Sequence, residues 1–310
     1  MGRKKKEQRD YPTGQLLNFA RDSYLERTSR PVYAILFLLP FIIFYEIGTI
    51  LINTDVLTRY QVRVVAFVWV QDVLLHLGTG SRFAWVAPPL VVVVILIGLQ
   101  VASKKKWYFC LSDYLPMVLE CVLLAVPLIV LSLLSNSPSV RPDNLPRSEI
   151  AQPPAHVSAV AQTRIVLPQE IVATLEQPNG IRAKMHSVMG NIVTAVGAGI
   201  YEELVFRLIL ICVLMVLFQD VIGLSHQNAI TLSVLISAAL FSAHHDVIWI
   251  DGRLARSVPF NWTAFGFRTI AGIYFALLFA IRGFGITAGT HASYDIMATV
   301  LLAVFFDKSG

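Results

Sequence analysis

Long apolar runs, interrupted by short polar or basic stretches, dominate this chain of 310 residues. The first, Pro31–Ile52, holds about 22 residues, roughly 33 Å of helix and enough to cross the hydrocarbon core of a bilayer. Phe83–Val101, Leu115–Leu134, Met185–Ile222, Asn228–His245, Trp262–Ile281 and Ile286–Phe306 continue the pattern. Residues 60–79 are apolar but carry Arg63, Gln71, Asp72 and His76, which predicts an interfacial or partly buried helix rather than a span. Met185–Ile222 is long enough for one very long helix or for two meeting at Gly197–Gly199. The pattern predicts an all-α, polytopic membrane protein of about seven transmembrane helices, bounded by six and eight.

Four stretches result. Residues 1–30 are polar and basic, with a short amphipathic helix expected around Leu16–Leu25. Residues 31–134 hold the N-terminal transmembrane helices. Residues 135–184, punctuated by Pro138, Pro142, Pro146, Pro153, Pro154, Pro168 and Pro178, predict an extramembrane loop with one short helix near Pro168–Leu175. Residues 185–306 form the apolar C-terminal core, in which four helices are expected to enclose a water-accessible cavity. No solenoid-type repeat is visible.

Composition agrees. A 55% hydrophobic content, 15% charge and a mean hydropathy of +0.64 lie outside the soluble globular range. The net charge of +5 is concentrated in Arg3–Lys6 with Arg9 and in Lys104–Lys106, clusters that flank spans instead of forming a nucleic-acid face. They predict a multi-pass integral membrane protein with a cytoplasmic N-terminus, both clusters sharing one side if residues 53–82 cross nothing. Cys110, Cys121 and Cys212 are scattered through apolar sequence, so they predict small buried residues and no disulfide framework.

The chemistry lies where a membrane helix should carry no charge. Glu202, Glu203, Arg207 and His291 sit in apolar runs, where each charge costs several kcal/mol unless it faces a polar cavity or a partner. Three four-residue steps occur in order: Glu203 to Arg207, Phe241 to His245, and His291 to Asp295. Each places two side chains on one helix face. Glu203 and Arg207 can therefore pair, while Glu202 stands about 140° round the helix from Arg207 and is left for work. Glu202, His245 and His291 gathered round one cavity would supply a base, a partner and an oxyanion donor for water attacking an amide. His244 competes with His245, and the four-residue register selects His245. Glu46 and Glu120, alone in the first and third spans, predict packing features. After His245, Asp246, Asp251, Arg253 and Arg256 predict a solvated loop.

This ordered series of EExxxR, FxxxH and HxxxD on apolar helices resembles the CAAX prenyl protease and bacteriocin-processing (CPBP, or ABI) family of intramembrane endopeptidases. The resemblance covers roughly residues 185–306. It implies cleavage of a membrane-associated or lipidated, CAAX-like peptide, with Glu202 and His245 activating water and Glu203 and Arg207 holding the site together. It further implies that His291 and residue 295 stabilise the oxyanion. Asp295 stands where the prenyl proteases usually carry asparagine, so it must be protonated, orient His291 from behind, or help hold a metal.

Two histidines and a carboxylate also make a catalytic zinc set, though no HExxH occurs. A metal-independent glutamate mechanism is the favoured reading. Zinc or another divalent metal on His245, His291 and Glu202 is the alternative. The partners implied are the bilayer and a membrane peptide, with no nucleic acid. Two other classes remain open, a non-catalytic immunity or scaffold protein and an ion-coupled transporter. If Ile286–Phe306 starts on the side opposite to where Asn228–His245 ends, the two rings meet only near the midplane, with Gly283–Thr290 entering as non-helical backbone.

Overall fold

The computed structural model describes residues 19–20, 22–55, 65–76, 87–135, 180–245, 247–250, 253–256 and 261–306. A short helix α1 (Tyr24–Thr28), N-capped by Ser23, leads into α2 (Pro31–Asp55). Then come α3 (Val65–His76), α4 (Ala87–Ser103) and α5 (Tyr114–Ser135), the last entered through a tight turn at Leu111–Asp113. The short helix expected around Leu16–Leu25 begins only at Tyr24, and Leu16–Asn18 lie outside the described residues, as does the segment near Pro168–Leu175.

Helix α6 is one unbroken rod: Gly180–Glu203, then wider π turns at Leu204–Ile209, α-helix at Leu210–Met215 and π turns again at Val216–Val221. It does not break at Gly197–Gly199, and it starts inside the 135–184 stretch expected to be loop. Helices α7 (His226–His244) and α8 (Trp262–Arg282) are N-capped by Ser225 and Asn261, whose side-chain oxygens accept from the first-turn amides. Only Gly283 separates α8 from α9 (Phe284–Leu301, extended by π turns at Leu302–Phe306). Gly283 has φ +77, a conformation that glycine adopts without strain. Residues 284–290 are helical, so the non-helical route into the membrane is not the one taken.

The one β element among the described residues is an antiparallel hairpin, β1 (Val247–Ile250) with β2 (Arg253–Arg256), pairing Val247 with Arg256. It replaces the plain loop expected after His245. The architecture is otherwise all-helical, as the apolar pattern predicts.

Among the described residues four helices are both long and apolar enough to cross a bilayer: Pro31–Leu51, Leu111–Ser135, Val188–Val221 and Trp262–Arg282. Pro88–Ser103 is apolar but shorter. α7 falls below the same mark through the exposed His226, Gln227 and Asn228 of its first turn and its buried serines, and α9 through buried Thr287, Thr290, His291, Asp295 and Thr299. Pro40 and Pro127 lie inside α2 and α5, both on exposed faces. The 12 residues of α3 make about 18 Å of helix, too short to span, as expected of an interfacial element. α2 thus leaves and α4 returns: Lys105 Nζ lies 3.6 Å from Glu26 Oε1, and the Val32 amide donates to Gln100 Oε1 at 3.0 Å.

Helices α2 and α5 pack on α6 and α9 in one continuous core that includes Tyr33, Phe37, Tyr45, Met117, Tyr201 and Leu204. The closest approach is between α6 and α9. A Cβ on Gly199 would stand 2.5 Å from the backbone nitrogen of Ala292, so only glycine lets the two backbones come this near. Of the three cysteines only Cys121 is buried; Cys110 is half-exposed and Cys212 exposed.

Candidate active site

The site forms where α6, α7 and α9 converge and α8 closes the side. On α6, Glu202 and Glu203 end the α-helical stretch and Arg207 sits in the π turns beyond it. Such turns insert an extra residue, shifting the phase of the later residues by about 100°, and they cluster at functional sites. The freed Phe206 carbonyl is used: Ser237 Oγ of α7 donates to it at 2.7 Å.

Glu203 and Arg207 are both fully buried, with Oε2 3.1 Å from Nε. Arg207 also donates from Nη2 to the Gly272 carbonyl of α8 at 3.3 Å, and its guanidinium lies 4.1 Å from the centre of the Phe241 ring. An ion pair in low dielectric holds only when such further contacts absorb the charge. The pairing anticipated from the four-residue spacing is present, with an addition that the spacing did not suggest. Glu203 Oε1 accepts from His291 Nδ1 at 2.7 Å, so one carboxylate ties α6 to α9 while facing its own arginine.

Glu202 is turned elsewhere. Its Oε1 lies 3.7 Å from His244 Nε2 and its Oε2 3.9 Å from His291 Nε2. It is 7% exposed. Asp295, also buried, brings Oδ2 to 3.5 Å from the same His291 Nε2. His291 therefore has Glu203 at one ring nitrogen and Asp295 at the other. Asp295 faces the nitrogen that looks into the site, not the one behind it.

His244 and His245 both point Nδ1 at the Phe241 carbonyl, His245 at 3.0 Å, which leaves Nε2 as the outward nitrogen of each ring. The ring centroids are 3.9 Å apart. The sequence register set His244 aside, yet its Nε2 lies beside Glu202. Glu202, His244 and His245 each offer one ligand atom, all within 4.8 Å of one another. His291, which the sequence placed in the metal set, is not in this group. The group that fits a divalent ion is therefore Glu202, His244 and His245, whose donor types match a catalytic zinc site.

Three aromatic residues at the site carried no signal in the sequence. Phe275 of α8 stacks on His291 with ring centroids 4.5 Å apart and planes 17° apart. Phe206 packs on His244 at 4.7 Å, and Trp69 of α3 meets the same ring edge-on at 5.8 Å. In helices this rich in phenylalanine, apolar periodicity cannot mark which ring faces a cavity. The two isolated carboxylates have partners: Tyr201 Oη donates to Glu46 Oε1 at 3.3 Å, and Glu120 receives Arg282.

No curated protein and no solved structure matches the chain. Its apolar helices, taken with the membrane-protease family that its C-terminal core matches, make it an integral membrane protein. At the level of the family, the match supports a CAAX-type intramembrane protease. Residues 184–297, the segment that carries all three motifs, match the family described as type II CAAX prenyl endopeptidase Rce1-like, in agreement with the resemblance to the CPBP family.

Proposed function

We propose that this protein is an intramembrane endopeptidase in which Glu202 activates water against a peptide bond. The observation that carries this reading is the gap around Glu202. Its two oxygens stand 3.7 Å and 3.9 Å from two imidazole nitrogens, too far for direct hydrogen bonds, so neither ring takes up the lone pairs that a water would need. Glu203 takes up the buried arginine, so Glu202 keeps its charge for the water.

Glu202 removes a proton from water as the oxygen attacks the peptide carbonyl carbon. The carbonyl π electrons move to oxygen, and the Nε2–H of His291 receives that oxyanion. His291, with a carboxylate at each ring nitrogen, is suited to carry N–H on both. Collapse of the intermediate breaks the C–N bond, and the proton held by Glu202 passes to the departing amine. No acyl-enzyme forms. Arg207 and Glu203 hold α6, α8 and α9 at the spacing this requires.

A site buried among apolar helices suits a membrane-associated peptide, and the CAAX-like, lipidated C-terminus is the substrate class that the family suggests. Both basic clusters lie on the cytoplasmic side, with the N-terminus. This agrees with α2 leaving and α4 returning to the same end.

The cluster of Glu202, His244 and His245 favours a second reading, in which these residues hold a divalent ion that would supply a water of lowered pKa. One experiment separates the readings. Purified protein is offered a membrane peptide library that includes farnesylated CAAX peptides, as wild type and as Glu202→Ala, His244→Ala and His245→Ala, with and without chelator, beside elemental analysis. Cleavage lost in Glu202→Ala and unchanged by chelation supports the metal-free mechanism. Loss on chelation with stoichiometric metal supports the second. Cleavage retained in Glu202→Ala removes both. Substrate uptake abolished in Glu202→Gln, with no hydrolysis in wild type, would indicate a transporter, and a scaffold would tolerate that change.

A further inference from the structure

At the end of the bundle where α8 turns into α9, Arg282 is 5% exposed and every one of its donor nitrogens is engaged. Nε and Nη2 donate to Glu120 of α5 at 2.6 Å and 2.8 Å, a bidentate pair. Nη1 donates to the Leu25 carbonyl at 2.9 Å and to Ser29 Oγ at 3.0 Å, and Nη2 also to Thr28 Oγ1 at 2.8 Å. Tyr24 Oη completes the carboxylate, donating to Glu120 Oε2 at 2.8 Å. One guanidinium thus joins α1, α5 and α8. The next residue, Gly283, is held so close that an added Cβ would stand 3.2 Å from the Ser29 carbonyl oxygen. Neither Arg282 nor Glu120 belongs to the three motifs.

Two rigid elements leave this junction toward the site. Helix α8 runs back to Gly272, whose carbonyl receives Arg207. Helix α9 runs forward, seated by Gly285 against Ala34 and by Cys121 Sγ on the Ile286 carbonyl, to His291, which binds Glu203. The two arms end on the two members of the same buried ion pair. His291 lies two turns into α9, about 10 Å along the axis. A slip at the junction would therefore displace both partners of the pair relative to Glu202.

We propose that Arg282 and Glu120, locked by α1, are positioning residues that set the depth of α8 and α9 against the Glu203–Arg207 pair and so hold His291 in register with Glu202. The catalytic consequence rests on the endopeptidase reading; the positioning itself does not.

The test compares Arg282→Lys and Glu120→Gln with Arg27→Lys. Arg27 pairs with Asp113 at 2.9 Å at the same end of the bundle and hydrogen-bonds to Asp113 and the Asp22 carbonyl rather than to α8 or α9, so it controls for a general loss of stability. Arg282→Lys, which keeps the charge pair, should melt within a few degrees of wild type, and Glu120→Gln, which leaves a buried cation unpaired, should melt lower. Both should lose kcat by about 10-fold or more with KM changed less than about 2-fold, as a misplacement near 1 Å implies. Arg27→Lys should keep kcat. Independently of turnover, 15N-histidine NMR should show the His291 Nδ1–H signal shifted in Arg282→Lys and unchanged in Arg27→Lys. An unshifted His291 signal in Arg282→Lys overturns the proposal, as does a kcat loss that Arg27→Lys shares. If wild type cleaves nothing, the endopeptidase reading fails, and the NMR comparison still decides the positioning.

Discussion

His291 Nδ1 lies 2.7 Å from Glu203 Oε1, a hydrogen bond between two helices whose residues are 88 positions apart in the chain. It joins the first motif to the third. Because Glu203 also faces Arg207, the ring of His291 is fixed by a carboxylate that is itself fixed, and the opposite ring nitrogen is aimed at Glu202. A carboxylate behind an imidazole sets in this way which ring nitrogen meets the chemistry.

Glu202→Gln is expected to preserve the fold and abolish cleavage. The amide matches the carboxylate in shape but cannot take a proton from water, and loss of a general base costs on the order of 10²–10⁴ in rate. Initial rates on a cleaved peptide, beside a melting curve, check this; activity within about 10-fold of wild type counts against Glu202 as the base.

Arg207→Leu should destabilise by about 3–5 kcal/mol, because it leaves the fully buried Glu203 carboxylate without its cation. The double change Glu203→Leu with Arg207→Leu should recover much of that loss and still be inactive, since His291 has then lost its anchor. Unfolding titrations in mixed micelles measure the first effect, and the peptide assay the second.

Gly199→Ala should reduce both stability and activity. The added methyl would meet the α9 backbone at Ala292, and overpacking of this kind costs roughly 1–3 kcal/mol. Moving α9 outward also lengthens the His291 to Glu203 bond. Gly98→Ala, where an added methyl meets nothing within 4 Å, is the control and should be neutral in both assays.

Asp295→Asn should retain cleavage within about 10-fold, because the amide can still meet His291 Nε2 and adds a donor toward an oxyanion. Asp295→Leu should lose it. Equal activity in both would remove Asp295 from the site's function.

At the end of the bundle where α1 packs, acid should loosen α1. Burial by itself would raise the Glu26 carboxyl, but hydrogen bonds from Arg30 and the nearby charge of Lys105 outweigh it and hold the group below the usual glutamate range. A carboxylate depressed in the folded state contributes stability above its unfolded pKa and loses it as pH falls through the folded value. The melting temperature of wild type should therefore drop more steeply below the ordinary glutamate pKa than that of Glu26→Gln.

Much of this was legible along the chain, because bilayer thickness and helix rise turn apolar length directly into spans and a four-residue step directly into a shared helix face. Those local rules account for the all-helical class, the short α3, the return of α4 to the end where α2 begins, the Glu203–Arg207 pair and the run of motifs that the family match covers. Pairings between distant segments obey no such rule. That His244 stands beside Glu202, that Glu203 rather than solvent receives His291, that Phe275 stacks on its ring, and that Glu120 meets Arg282 all depend on how closely the helices from α5 to α9 approach one another. Glycines at the crossings and π turns in α6 set that approach, and neither leaves a periodic trace in the hydrophobic pattern.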